Sequence, residues 1–414
     1  GFQVRIANLA ARMVRSRRFD PEKMIAGMDA RAFGIDLHWL PHAQGALAVA
    51  ELVKRYHPET PVIFGGYSAT YFHEELIRHP AADYVLRGDS TEHPLERLLE
   101  HIVAGTPPTD VANLTWQAEP GGEVRVNPQS YTPDDLDHLT LDYHAMVRSV
   151  VRDRDLFNYV PFSHWIDYPI MASLTVKGCT QNCTICGGSA FAGRRLSGRQ
   201  RPAYRSPEQL AADVRRMGKL SRAPVFLLGD LRQAGMDYAR RFFRAVQGFQ
   251  GAVIVEFFAP VDRDYMAELA AALPNFYVEF SPESHDPQVR RASGKPYSNA
   301  EIEQTIAACL DAGARRFDLF FMIGLSQQTP DSALATVDYC RDLLARFDGD
   351  SDGRLMPFTA PLAPFLDPGS LAYERAEHYG YIRRATTLEA HRQLLLAPTW
   401  KDMLSYETRW MNRE

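Results

Sequence analysis

Three of the chain's five cysteines fall in one short stretch, KGCTQNCTICGGS, at Cys179, Cys183 and Cys186. Thiolates are soft ligands that suit zinc and iron–sulfur clusters. A structural zinc is normally closed by four protein ligands, and no fourth stands beside these three. Cys309 and Cys340 fall inside helix-like patterns and read as small buried apolar residues. The nearest histidine, His164, precedes the strand-like MASLTV. Three thiolates on a cluster with four metal corners leave one corner open, which serves chemistry better than structure. A zinc loop in a non-catalytic protein is the other reading of the same residues.

The elements that must position this loop follow one pattern. From about residue 170, apolar strand-like runs (MASLTV, VFLLGD, AVIVEFF, FYVEFSPE, RFDLFFMIG, RLMPFTA) alternate with helical stretches near 206–218, 235–248, 263–273, 299–313 and 331–346. Six such units predict a (β/α)6 partial TIM barrel over residues 169–360. In barrels of parallel strands the reactive residues gather at the C-terminal strand ends. The cysteines follow the first strand, Asp230 ends the second, Glu283 the fourth, and Gly324 follows the fifth. A single face is therefore expected to carry all of them.

Residues 1–105 alternate in the same way. VRIANLA, AFGIDLHW, PVIFGG and ADYVLRG read as strands, with amphipathic helices between them. This predicts an α/β, doubly wound, Rossmann-like parallel sheet. Residues 106–168 read as a linker with a β-hairpin around Pro120-Gly121-Gly122, otherwise irregular. Residues 361–414 form a C-terminal extension rich in aromatics, with a turn at Asp367-Pro368-Gly369.

Composition narrows the partners. The chain has 414 residues, 45% hydrophobic and 23% charged, with a formal net charge of −5. That balance gives no electrostatic case for nucleic acid. No apolar run approaches the ~18 residues of a transmembrane segment. An odd cysteine count, clustered, argues against a disulfide framework and for a reducing cytoplasmic setting.

Cys-x3-Cys-x2-Cys directly after a barrel's first strand resembles the radical S-adenosylmethionine (radical SAM) superfamily. The resemblance implies that the three cysteines hold a [4Fe-4S] cluster and that SAM chelates the fourth iron. The residue before the third cysteine is often aromatic in that family and here is Ile185. Gly229-Asp230 stands where the family has a Gly-Gly-Glu that receives the methionine amino group, although a helix cap would also suit Asp230. Ser281 and Glu283, in FSPESHD, resemble the polar pair that binds the SAM ribose. Gly324, in MIGLSQQT, resembles the residue that lies against adenine. Arg291 and Lys295, in RRASGK, could approach the SAM carboxylate.

A doubly wound domain ahead of such a barrel resembles the cobalamin-binding branch of the superfamily. Gly65-Gly66 would let backbone approach the cobalamin tail. Gly88, in Gly88-Asp89-Ser90-Thr91-Glu92, falls in the family's next loop, although Ser90 or Thr91 would also serve as a plain helix cap. His38 and His42 are candidates to face the corrin. The family's Asp-x-His-x-x-Gly pattern is incomplete at Asp36-Leu37-His38, since position 41 is proline. Such domains open with a strand and helix ahead of the segment matching VRIANLA, so the first domain is expected to be truncated.

The resemblance thus implies an enzyme that cleaves SAM reductively at the cluster to a 5′-deoxyadenosyl radical. Cobalamin would act as methyl carrier for C-methylation of a small-molecule or lipid-like substrate. An electron donor such as flavodoxin or ferredoxin would supply the electron. A radical SAM enzyme without cobalamin is the nearest alternative.

Overall fold

The computed structural model describes residues 2–162, 164–347, 353–362 and 365–413. The first sheet takes its strands in the order β1 (Phe33–Asp36), β2 (Val62–Gly65), β3 (Tyr84–Leu86), β4 (Leu114–Gln117) and β5 (Val124–Val126). The first three pair in parallel, and β4 and β5 continue antiparallel. Val62, Ile63 and Phe64 are all buried, as expected of a strand covered on both faces. The helix Ala43–Tyr56 turns Ala43, Leu47, Ala50 and Val53 onto this sheet.

Three expectations need correction here. VRIANLA is not a strand. A strand persists only where a neighbour takes its backbone hydrogen bonds, and residues 2–8 pair with none. Val4 and Ile6 are exposed, and Asn8 instead caps the helix Leu9–Arg15 by accepting the Ala11 N–H at 3.0 Å. The hairpin lies within the first sheet rather than in a linker, because β4 pairs with β3. The stretch read as irregular contains a helix, Tyr143–Asp153, capped by Asp142, which buries no residue of its own.

The second sheet is a six-stranded, wholly parallel partial barrel. Its order is β6 (Met171–Ser173), β9 (Val225–Leu227), β10 (Val253–Phe257), β11 (Phe276–Glu283), β12 (Phe317–Ile323) and β13 (Leu355–Pro361). Between β6 and β9 the short strands β7 (Val176–Lys177) and β8 (Ala203–Tyr204) pair antiparallel. Residues of period two, such as Val253, Val255 and Phe257, face the surrounding helices and form the main core with Val214, Phe242 and Leu269. The alternate residues line the concave side.

The extension adds β14 (Tyr381–Arg383) and β15 (Tyr406–Thr408), paired antiparallel. Phe365 and Leu388 enter the core of the first domain, while Leu366, Tyr373 and Tyr381 pack with Ile185 of the cysteine loop. The extension is therefore a bridge between the two sheets.

Candidate radical SAM site

The cysteine loop leaves β7 and is pinned from three sides. The Thr184 N–H donates to the Ser293 carbonyl at 3.1 Å, and its hydroxyl to the Ala292 carbonyl at 2.8 Å. From the extension, the Ala372 N–H donates to the Thr184 carbonyl at 2.8 Å. Gln233, just beyond β9, accepts the Thr180 N–H and hydroxyl at 2.9 Å each and lies 3.1 Å from the Cys179 sulfur. The residue before the third cysteine, Ile185, is buried against Val289, Leu325 and Leu366, so an apolar packing role explains its type.

Burial pushes the Cys179 thiol up to about 11 and the Cys186 thiol up to about 12, and raises that of Cys183. Cys186 keeps exposed surface although it lies deep in the protein mass, so it lines a recess rather than the outer face. Burial disfavours the thiolate in such a place, and a bound metal would supply the positive charge that favours it. Two backbone donors already face the sulfurs, Gln181 N–H to Cys179 and Gly188 N–H to Cys186, each at 3.3 Å. Among the described residues no group of three or more His, Cys, Asp or Glu closes around a single ion, the three thiols included. The four-ligand set of a structural zinc is not formed there. A four-iron cube takes its thiolates at separate corners, and the donor set suits it.

The expected SAM residues have different surroundings. Glu283 is buried and sits at φ +69°, an unusual conformation for a residue with a side chain. One of its carboxylate oxygens pairs with Lys295 at 2.6 Å, and the other, Oε2, is buried with no partner. Both groups act electrostatically on Cys183. An orphaned carboxylate oxygen beside the thiols fits a ligand that brings hydroxyl donors. Ser281 is half-buried on the same strand, and its carbonyl accepts from Lys295. Lys295 is buried, which disfavours its charge. The Glu283 carboxylate outweighs this and raises its pKa. Arg291 is exposed.

Asp230 is committed elsewhere. Its oxygens accept from the Arg232 backbone N–H and Nε at 2.9 Å each, from Arg232 Nη2 at 2.6 Å and from the Phe258 N–H at 3.1 Å. The helix-cap reading describes this residue. Gly324 has φ +99°, and a Cβ there would meet the Tyr406 hydroxyl at 2.8 Å, so the extension itself requires glycine at that position.

In the first domain Gly66 has φ +109°, and a Cβ would fall 2.6 Å from the His38 nitrogen. The close approach of β1's end explains this glycine without a ligand. Gly65, by contrast, has nothing within 4 Å of its Cβ position. The Gly88 N–H donates to the Thr70 hydroxyl at 3.0 Å. His38 is half-buried between Trp39 and Tyr67, with ring centroids at 4.8 and 4.9 Å. Burial lowers its pKa, with Asp36 opposing. His42 is exposed. Tyr67 lies within electrostatic reach of Cys186, so this edge of the first sheet faces the cysteine loop. The loop after Gly88 closes the same junction: Asp89 pairs with Arg199 at 2.5 Å and Glu92 with Lys177 at 2.5 Å.

Two features escaped the sequence reading. Asp367 accepts the Gly187 N–H at 2.7 Å, which ties the extension to the residue after Cys186. On the concave face Glu256, Glu279 and Asp318 stand side by side in register across β10, β11 and β12. Burial, with Glu256 and Asp318 adding to it, pushes Glu279 up to about 7. Asp318 is paired with Arg316. Leu228, Met356 and Phe358 carry exposed apolar surface, and Leu228 and Met356 flank the row. Superimposing VIVEF on FYVEF puts Glu256 and Glu279 at one level in the sequence, whereas Asp318 joins the row only through the register of β11 with β12.

Comparison with known proteins accords with this arrangement. Residues 173–340 match the family described as the radical SAM superfamily, and residues 1–99 match the B12 binding domain. A cytidylyl-2-hydroxyethylphosphonate methyltransferase from Streptomyces wedmorensis is 24% identical over 224 residues, which is 48% of this chain and 39% of that protein's length. The radical SAM methyltransferase TsrM from Kitasatospora setae, with cobalamin and a [4Fe-4S] cluster bound, shares the fold at TM-score 0.64 and 15% identity, over 89% of this chain and 73% of that one. The cobalamin-dependent SAM radical enzyme OxsB shares it at TM-score 0.63 and 12% identity, over 94% of this chain and 57% of that one. Residues 173–340 thus form a radical SAM domain, and a B12 binding domain in residues 1–99 precedes it.

Proposed function

We propose that the chain is a cobalamin-dependent radical SAM methyltransferase acting on a small-molecule substrate. The observation that carries this is the junction: three clustered thiols at the strand ends of the barrel, a buried carboxylate with an orphaned oxygen beside them, and the edge of the cobalamin-type sheet facing them. When bound, the cluster and SAM supply a carbon radical, and cobalamin supplies the methyl group.

The residues of this chain would do the rest. Cys179, Cys183 and Cys186 hold the cluster. Glu283, held in place by its pair with Lys295, accepts hydroxyl groups of SAM beside Ser281. Gly65 leaves room for cobalamin at the end of β2, and His38, at the end of the neighbouring β1, would face the corrin. Leu228, Met356 and Phe358 form an apolar wall for substrate on the concave face. The extension and the Asp89–Arg199 pair close the junction and exclude water.

A one-electron protein donor of the flavodoxin or ferredoxin class would supply the electron. We place the reaction in a reducing cytoplasm, because all five cysteines are free. No helix among the described residues is long and apolar enough to cross a membrane.

The test is anaerobic reconstitution with iron, sulfide and hydroxocobalamin, followed by metal counting and spectra. About four irons per chain with retained corrin absorbance is the expected result. Cys183→Ala is expected to lose the cluster and SAM cleavage together. A variant that still formed 5′-deoxyadenosine would overturn the reading, as would zinc in place of iron.

A further inference from the structure

The extension brings one charged group to the cysteine loop. Asp367 Oδ2 accepts the Gly187 N–H at 2.7 Å, directly after Cys186. The fit is close enough to dictate the residue opposite: a Cβ on Gly187 would lie 2.9 Å from the Asp367 Cβ and 3.1 Å from Oδ2. Asp367 is anchored on both sides, since Phe365 lies in the core of the first domain and Leu366 packs with Ile185. Burial pushes the Asp367 carboxyl up to about 6, with the Gly187 N–H opposing, so at pH 8 it is a carboxylate held against the residue that follows Cys186.

Two consequences follow for a cluster on these thiols. Potentials of iron–sulfur clusters are set by net charge, by hydrogen bonds to the sulfurs and by exposure. Taking up an electron adds negative charge, and a carboxylate held nearby makes that harder. The carboxylate also engages the Gly187 N–H, which would otherwise be free to donate to a sulfur. Both effects act in the same direction.

We propose that Asp367 is a positioning residue of the C-terminal extension that lowers the reduction potential of the cluster and so makes it a stronger one-electron donor. The inference rests on the cluster assignment above. In the step concerned, one electron passes from an external low-potential donor to the cluster, and no bond or proton is exchanged. The extension thereby does more than cover the site, because it sets the driving force for SAM cleavage.

The experiment is a redox titration of the anaerobically reconstituted protein at pH 8, where Asp367 is a carboxylate. Dithionite is the reductant and the reduced cluster is followed by electron paramagnetic resonance. Asp367→Asn removes the charge while keeping an oxygen for the Gly187 N–H. It is expected to favour reduction about tenfold, a positive shift of about 59 mV for one electron. Asp367→Glu, which restores the charge, is expected to return the potential toward that of the parent. Asp367→Ser removes the charge as well and replaces the asparagine variant if that one fails to take up iron. An unchanged or more negative potential in an iron-replete variant overturns this inference alone. A parent protein that takes up no iron overturns the cluster assignment instead.

Discussion

The junction between the two sheets offers the sharpest test of how this molecule is held together. Asp89 and Arg199 are 5% and 2% exposed and meet in a two-point contact, Nε to Oδ2 at 2.5 Å and Nη2 to Oδ1 at 2.8 Å. Arg199 also donates to the Pro133 carbonyl at 2.9 Å and to the Ser90 hydroxyl at 3.3 Å. Asp89→Ala leaves a buried guanidinium with neutral acceptors only, and the expected cost is about 3–5 kcal/mol. Replacing both members, Asp89→Leu with Arg199→Met, removes the stranded charge, and the double variant is expected to lose clearly less than the sum of the single ones. Urea unfolding gives the free energies. Hydrogen exchange in residues 89–92, 129–133 and 177–205 shows whether the loss is local to the junction, which matters because a chain of two sheets need not unfold in one step. A loss below about 1 kcal/mol in the single variant, or strict additivity in the double, would refute the claim that this pair is a desolvated tie.

Two further outcomes follow from the same structure. Glu279 has its folded-state pKa raised to about 7 by burial and its carboxylate neighbours Glu256 and Asp318, with Arg316 opposing. Its contribution favours the fold at pH below the ordinary carboxyl value and is lost as pH rises through about 7. Glu279→Gln is expected to flatten this part of the stability profile and to stabilise the chain at pH 8 by about 1–2 kcal/mol, a figure discounted for partial exposure to water. Chemical denaturation at pH 5 and pH 8 measures it, and an unaltered pH dependence would contradict the assignment. In the first domain, Gly66→Ala forces a Cβ to within 2.6 Å of the His38 nitrogen. It should lower stability by more than about 2 kcal/mol. Gly65→Val enters open space and should leave the melting temperature in place while reducing corrin retention. Equal effects of the two substitutions on stability would mean that the two glycines were misassigned.

The sequence by itself was enough for the broad architecture and for singling out the cysteine loop at a strand end. Alternation of period two in FYVEFSPE and its companions marks strands whose buried faces meet helices, and β11 spans those same residues, Phe276–Glu283. Parallel order then puts every strand end on one edge, which is why Cys183 and Glu283 could be placed together without coordinates. Local pattern failed where a residue's role depends on a partner distant in sequence. VRIANLA alternates as a strand does, yet no neighbouring backbone takes its hydrogen bonds, and Asn8 ends it as a helix cap. Asp230 has the right type and place for a ligand contact, but Arg232 and the Phe258 N–H occupy its oxygens. Glycines 66, 187 and 324 look alike in sequence. What each must avoid is set by His38, Asp367 and Tyr406 respectively. Asp367 itself lies 180 residues from Gly187 and reads as a turn residue. Propensity and periodicity act over a few neighbouring residues, whereas charge, close approach and unpaired hydrogen-bonding groups act through space, and only the folded chain decides which of them meet.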